Sequence, residues 1–224
     1  MQVIIVGTGK LATELLDSPG VGHACEAISW GRHGHDKGKS IVVHAGSGRE
    51  FKAVIDFCQV TRSTLVELAT GSGIETGSHD FPVVLCPNTN ILMLKFMSML
   101  AKSGHLFIGN RIRLTESHQE QKSSTPGTAV SMAHSLGMKS NDVLSVRDPD
   151  EQKTVLQIPV EHLARHAYHQ IVIEDAACSI TLETRIYGAS PYADGVARII
   201  SAIRSNELEN RTYSIGEFVE NGWV

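Results

Sequence analysis

Residues 3–12, Val-Ile-Ile-Val-Gly-Thr-Gly-Lys-Leu-Ala, constrain the fold more than any other stretch of the chain. Val3, Ile4, Ile5 and Val6 form an unbroken β-branched run, the pattern of a strand buried on both faces of a parallel sheet. Such a strand needs neighbours on both sides and helices above and below it. Glycines follow at once at positions 7 and 9, and residues 11–16 read as a helix that stops near Ser18-Pro19-Gly20. The rhythm then repeats, with strands predicted at 26–30, 41–44, 64–68 and 83–86 and a helix at 50–58. Gly46-Ser47-Gly48 and Gly71-Ser72-Gly73 close two of these strands. Strands alternating with helices at this spacing predict an open α/β sheet whose glycine-rich loops share one edge, where such sheets bind ligands.

Beyond residue 88 the pattern changes. A helix is predicted over 91–102, and period-two alternation at 111–116, 154–160, 170–174 and 179–186 predicts half-buried, mostly antiparallel or mixed strands. A last helix over about 192–205 returns to the first region. Length and charge narrow the function classes. A chain of 224 residues can bury a substantial core, and 20 Lys+Arg against 24 Asp+Glu leaves a formal charge of −4, which argues against nucleic-acid binding. No apolar run approaches the roughly 20 residues that span a bilayer, so no membrane partner is expected. The opening Met-Gln-Val-Ile-Ile-Val-Gly lacks a basic region, and Cys25, Cys58, Cys86 and Cys178 form no CxxC pair. Reduced, buried, inert thiols and a cytoplasmic location are therefore expected.

Gly7-x-Gly9-x-x-Ala12 sits between the first strand and the first helix, where a dinucleotide fingerprint belongs. The first glycine allows the tight turn, the second admits a pyrophosphate, and the small third residue lets helix and strand pack. Gly7, Thr8, Gly9, Lys10 and Leu11 are thus candidate cofactor contacts. The second strand ends in Ser29-Trp30-Gly31-Arg32-His33, without the acid that holds the ribose hydroxyls of NAD. Arg32 is placed to pair with a 2′-phosphate, which favours NADPH, with NADH as the alternative. A solvated basic loop, with Lys37 and Lys39 behind it, is the bland reading of the same residues. His33 and His35 lie in that loop, and His44 ends the third strand beside Gly46, near the expected cofactor.

Residues 116–129 read Glu-Ser-His-Gln-Glu-Gln-Lys-Ser-Ser-Thr-Pro-Gly-Thr-Ala and carry the strongest chemistry in the chain. A helix predicted over 128–136 places the backbone N–H groups of Gly127 and Thr128 at its amino terminus, a carboxylate-binding arrangement. His118 and Lys122 supply a proton and positive charge nearby. The stretch resembles the signature of the dihydrodipicolinate reductases (4-hydroxy-tetrahydrodipicolinate reductases), with Glu116, His118, Lys122, Pro126, Gly127, Thr128 and Ala129 matching. Thr70-Gly71, Pro87-Asn88-Thr89-Asn90 and residues 192–198 resemble further family segments in the same order. Gln119 stands where the family has a second histidine, and the serine before the family's glycine is missing. Gly188-Ala189-Ser190 replaces a family arginine, with Arg185 nearby.

The resemblance implies reduction of a cyclic, imine-type dicarboxylate of lysine biosynthesis by a nicotinamide cofactor. It implies that His118 is the proton donor, that Lys122 binds or polarises the substrate, and that Gly127 and Thr128 hold a carboxylate. Gln119, a departure from the family, is a substrate-binding candidate that can hydrogen-bond but cannot donate a proton near neutral pH. Thr70, Gly71 and Asn88 join the cofactor contacts. It further implies a homo-oligomer, a tetramer in the family. The expected architecture is α/β: a Rossmann-like dinucleotide-binding domain of residues 1–88 plus 196–224, with a second α+β mixed-sheet domain, 89–195, for substrate binding and oligomerisation. Two alternatives stay open: a divergent reductase or dehydrogenase for another imine or amino acid, and a catalytically impaired NADP(H)-binding protein. His162, His166 and His169 share helical spacing, but the strand pattern from Gln170 onward breaks that face, so no metal is expected.

Overall fold

The computed structural model describes residues 1–24, 26–32, 38–69, 71–77, 79–123, 125–188 and 190–224. In chain order the elements are β1 (Val3–Val6), α1 (Lys10–Leu16), α2 (Pro19–Ala24), β2 (Ala27–Ser29), β3 (Ile41–His44), α3 (Phe51–Thr61), β4 (Thr64–Glu67), β5 (Val83–Leu85) and α4 (Ile91–Ser103). There follow β6 (Arg111–His118), α5 (Gly127–Ser135), β7 (Leu144–Val146), α6 (Pro149–Thr154), β8 (His166–Asp175), β9 (Cys178–Tyr187), α7 (Ser190–Ser205), β10 (Thr212–Ser214) and α8 (Ile215–Glu220). The chain divides into two compact units, residues 1–94 with 190–224 and residues 95–189.

The first unit is built on a six-stranded sheet of order β10-β5-β4-β3-β1-β2. Every neighbouring pair in it is parallel. The apolar runs are unbroken because both faces are covered. Val3, Ile5, Ile41, Val43, Val66 and Val84 pack with residues of α1 and α7 and with Phe218, whereas Ile4, Val6, Val42, Leu65 and Val83 pack with Val54 and Cys58 of α3 and with Phe81. α7 approaches so closely that a Cβ on Gly195 would stand 1.6 Å from the Thr89 carbonyl oxygen, so only glycine fits there. Parallel strands with registered ends bring the residues after β1, β3, β4 and β5 to one edge. Val6 pairs His44, His44 pairs Glu67, and Glu67 pairs Leu85.

The second unit is built on a mixed four-stranded sheet of order β7-β6-β8-β9, with β7 parallel to β6 and the other pairs antiparallel. The strand expected over 154–160 does not form. Asp148 accepts from the N–H groups of Asp150 and Glu151, and Pro149 opens α6. The chain then turns through Gln157 at φ 55° and a short helical turn, Val160–His162. An N-capped first turn and a left-handed residue override the alternation of the apolar side chains. β7, β10, α2 and α8 are short elements that periodicity misses. Cys58 and Cys86 are buried, and burial pushes each thiol up to about 12. Cys178 is exposed on β9, which corrects the expectation of a buried thiol there; Cys25 lies outside the described residues.

Candidate functional site

In the second unit, β6 carries the candidate acid. Glu116 and His118 are two positions apart on a strand and so project from the same face. Glu116 is fully buried. Its Oε2 accepts from His118 Nδ1 at 2.8 Å, while Oε1 accepts from the Arg147 guanidinium and the Ser145 hydroxyl. Burial alone would raise this carboxyl, but the hydrogen bonds from His118, Arg147 and Ser145 outweigh it and hold the group at about 2. With Nδ1 occupied, Nε2 is the His118 nitrogen left for a ligand.

Arg147 also donates from Nε to the Lys122 carbonyl at 2.8 Å, and Lys122 N–H closes a turn on the Gln119 carbonyl. Gln152, itself buried, donates to the His118 carbonyl at 2.8 Å. The strand end bearing His118 and the turn bearing Lys122 are thus tied to one another through Glu116 and Arg147. Among the described residues the Lys122 ammonium has no ion pair. α5 starts at Gly127 after Pro126, whose side chain supplies no cap, so the first backbone N–H groups, those of Gly127 and Thr128, lack a side-chain acceptor. Gln119 is exposed. It lines a cavity of about 410 Å³ with Gln121, Pro149 and Gln152, and neither His118 nor Lys122 is part of that wall. Ser124 is outside the described residues.

His169 faces Glu116 across β6 and β8, and its ring stands 5.8 Å from that of His118, edge to face. Burial, then the positive charge of His118, brings its imidazole down to about 4. Nδ1 lies 3.2 Å from the Thr184 hydroxyl, and Nε2 is buried without a partner. His166 donates from Nδ1 to the His162 carbonyl and meets Ser117 Oγ at Nε2, 2.9 Å away; burial lowers it too. Among the described residues no group of His, Cys, Asp or Glu could hold a metal. Acid therefore destabilises the second unit through His169. The neutral ring is favoured in the fold, so its contribution is complete above pH 6.5 and is lost as pH falls to about 4, by ~3 kcal/mol. Replacing His169 with Asn, which keeps a donor for Thr184, is expected to flatten the melting temperature across that window. Thermal melts at stepped pH check this.

Arg185, near the position of the missing family arginine, is engaged through Nε and one terminal nitrogen. Its guanidinium donates to Glu183 at 2.6 Å and to the Leu156 carbonyl at 2.8 Å, and it lies over the Tyr168 ring. Ala189 is outside the described residues.

In the first unit the other predicted contacts share the sheet edge. Gly7 adopts φ 124°, and a Cβ there would come within 2.7 Å of the Ala45 carbonyl oxygen, so the turn after β1 requires glycine. Thr8, Gly9 and Lys10 are exposed and Leu11 is half-buried, with Gly9 before the first turn of α1. Arg32 is exposed at the end of a helical turn, Trp30–Arg32, that follows β2. Gly71 and Gly73 follow β4 with φ 72° and 84°, and both N–H groups donate to the Glu75 carboxylate. Asn88 follows β5 and accepts from the Asn90 N–H. Thr70, and His33, His35 and Lys37 of the basic loop, lie outside the described residues. The motif made Glu116 visible, and its i, i+2 spacing from His118 is the signal for the pair. Arg147, Ser145 and Gln152 carry no local signal, since they reach the site only through β7 and α6.

No family model matches the chain. A probable 4-hydroxy-tetrahydrodipicolinate reductase 1 of chloroplasts in Oryza sativa subsp. japonica is 38% identical over 96 residues, 40% of this chain and 28% of that protein. The chloroplastic 4-hydroxy-tetrahydrodipicolinate reductase 2 of Arabidopsis thaliana is 31% identical over 127 residues, 52% of this chain and 36% of that protein. The matched stretches thus span about a third of the length of these relatives. Among solved structures, a dipicolinate-bound dihydrodipicolinate reductase from Paenisporosarcina sp. TG-14 superposes with a TM-score of 0.60. That match covers 96% of this chain and 97% of that one at 15% identity. A probable dehydrogenase from Thermotoga maritima gives 0.52 at 9% identity, covering 100% of this chain and 93% of that one. The chain is a distant homologue of the 4-hydroxy-tetrahydrodipicolinate reductases over about half its length, and its fold is that of a dihydrodipicolinate reductase.

Proposed function

We propose that this protein is an NADPH-dependent reductase of a cyclic, imine-type dicarboxylate, acting as the 4-hydroxy-tetrahydrodipicolinate reductases do in lysine biosynthesis. The observation that carries the reading is the buried Glu116 carboxylate, which holds His118 by Nδ1 and, through Arg147, the turn of Lys122. A bound dihydronicotinamide supplies hydride to the conjugated imine. The chain supplies the proton and the charge. His118, when protonated, donates from Nε2 as negative charge develops on the substrate, and Glu116 offsets the charge of the ring. Lys122 pairs with one carboxylate, and the N–H groups of Gly127 and Thr128 at the start of α5 hold the other. Gln119 adds hydrogen bonds but no acid.

In the first unit, the Gly7 turn is a cradle that a Cβ would fill, which fits a dinucleotide backbone passing close to it. Gly7, Thr8, Gly9, Lys10, Leu11, Thr70, Gly71 and Asn88 are its proposed contacts, and Arg32 selects the 2′-phosphate. Arg32→Ala is expected to raise the Kd for NADPH about tenfold and leave that for NADH unchanged. Fluorescence titration of both nucleotides checks this. Assembly of copies through the four-stranded sheet belongs to the same proposal; Leu144 is 52% exposed on its β7 edge. Among the described residues no helix is long and apolar enough to cross a membrane, and the plant relatives are chloroplastic.

A second reading, a divergent reductase or dehydrogenase for another imine or amino acid or an NADP(H)-binding protein without turnover, is favoured by Gln119, which offers no acid where the family has a second histidine. The test is oxidation of NADPH with the freshly made product of dihydrodipicolinate synthase. Turnover supports the first reading, and nucleotide binding without turnover supports the second.

A further inference from the structure

The edge of the parallel sheet holds a buried pair to which the reading above gives no role. His44 ends β3 and Glu67 ends β4, directly paired in register, and their side chains are 1% and 0% exposed. Nδ1 of His44 lies 2.9 Å from each carboxylate oxygen of Glu67. A carboxylate offers only acceptors, so the Nδ1 proton points to it. Glu67 also accepts from the Ala69 N–H at 2.8 Å, which fixes its plane. Nε2 is then the one polar atom of the pair left over, and it is buried with no hydrogen-bond partner. An orphaned ring nitrogen is costly in a folded interior and calls for a reason.

Its position supplies one. A Cβ built on Gly46 would stand 3.1 Å from Nε2 and 3.4 Å from Gly7 Cα. Nε2 therefore lies under the glycine backbone that adjoins the Gly7 turn. The strand order turns back there, since β1 lies between β2 and β3, and parallel sheets take ligands at that crevice. Two further neighbours among the described residues are not ionisable: Val6 pairs with His44 from β1, and the Phe51 ring of α3 is 5.2 Å away. Glu67 is the ion-pair partner of the imidazole among the described residues.

We propose that His44 is a dinucleotide-contacting residue, oriented by Glu67, whose Nε2 hydrogen-bonds the bound nicotinamide dinucleotide between β1 and β3. The inference rests on the reading of the first unit as dinucleotide-binding. Contact requires the 45–48 turn to draw aside, and Gly46 and Gly48, the latter at φ 89°, leave its backbone free to do so. A pair that only ties β3 to β4 would affect stability and leave nucleotide affinity alone.

His44→Asn separates these roles. Its amide nitrogen falls close to the place of Nδ1 and keeps a donor for Glu67, while the Nε2 position is deleted. NADPH affinity is measured by fluorescence titration on both proteins, beside their melting temperatures. The expected result is a Kd about tenfold higher in the variant. In the wild-type protein with ¹⁵N-labelled histidine, the assigned His44 Nε2 resonance is expected to move when NADPH is added, a readout that does not depend on the variant folding. An unchanged Kd in a folded variant, or a His44 resonance indifferent to NADPH that the wild-type protein demonstrably binds, overturns the inference alone. Failure of the wild-type protein to bind NADPH or NADH overturns the cofactor reading and this inference with it.

Discussion

The His118→Gln variant is expected to reduce the cyclic imine roughly 10²–10⁴ times more slowly than the wild-type protein, the usual contribution of a positioned acid. Glutamine has similar reach and hydrogen-bonds, but it cannot release a proton near neutral pH. The groups proposed to hold the substrate carboxylates, Lys122 and the N–H groups of Gly127 and Thr128, are untouched. The loss should therefore fall on kcat while KM stays close to the wild-type value. Steady-state kinetics of both proteins at one fixed pH check this. A variant as fast as the wild type would remove His118 from the chemistry.

Glu116→Leu is expected to be the most damaging single change to stability in the second unit. It leaves Arg147 and His118 without their carboxylate, and stripping one partner from a buried charged network costs about 3–5 kcal/mol. The damage should reach Lys122, since Arg147 donates to the Lys122 carbonyl as well as to Glu116. The pH dependence has a defined sign. The carboxyl is held at about 2 in the fold against 4.5 when unperturbed. Its contribution is fully present above pH 4.5 and is lost as pH falls toward 2, an amount of ~3 kcal/mol. Urea melts should show the wild type losing stability through that range and Glu116→Gln losing less, from a lower starting value. Equal slopes for the two proteins would mean that Glu116 is not the buried anion described.

Much of the first unit is legible in the chain because its physics is local. Residues 3–6 and 41–43 are unbroken apolar runs, and only a sheet covered on both faces accepts them. The Gly7 turn announces itself by position, and the structure adds the reason in the Ala45 carbonyl. In the second unit β8 and β9 are legible from alternation, but β7 is three largely exposed residues whose place is set by pairing with β6. Residues 154–160 alternate as a strand would and form none, because Asp148, Gln157 and Pro159 impose turns that hydrophobic period does not weigh. The candidate site divides in the same way. His118 and Lys122 are visible as a motif four residues apart. The carboxylate that links them lies within the motif, yet its partner Arg147 is 31 residues away and becomes visible only when β7 is laid beside β6. His44 stands out next to a glycine loop, whereas its bond to Glu67 needs the register of two parallel strands.

The central claim is reductase chemistry on a cyclic, imine-type dicarboxylate. Its most direct test is NADPH consumption by the wild-type protein when the product of dihydrodipicolinate synthase is generated in the same cuvette. The account predicts oxidation of NADPH in proportion to the imine formed and to the protein added, nearly abolished in His118→Gln. Tight NADPH binding with no oxidation above the protein-free rate would contradict it.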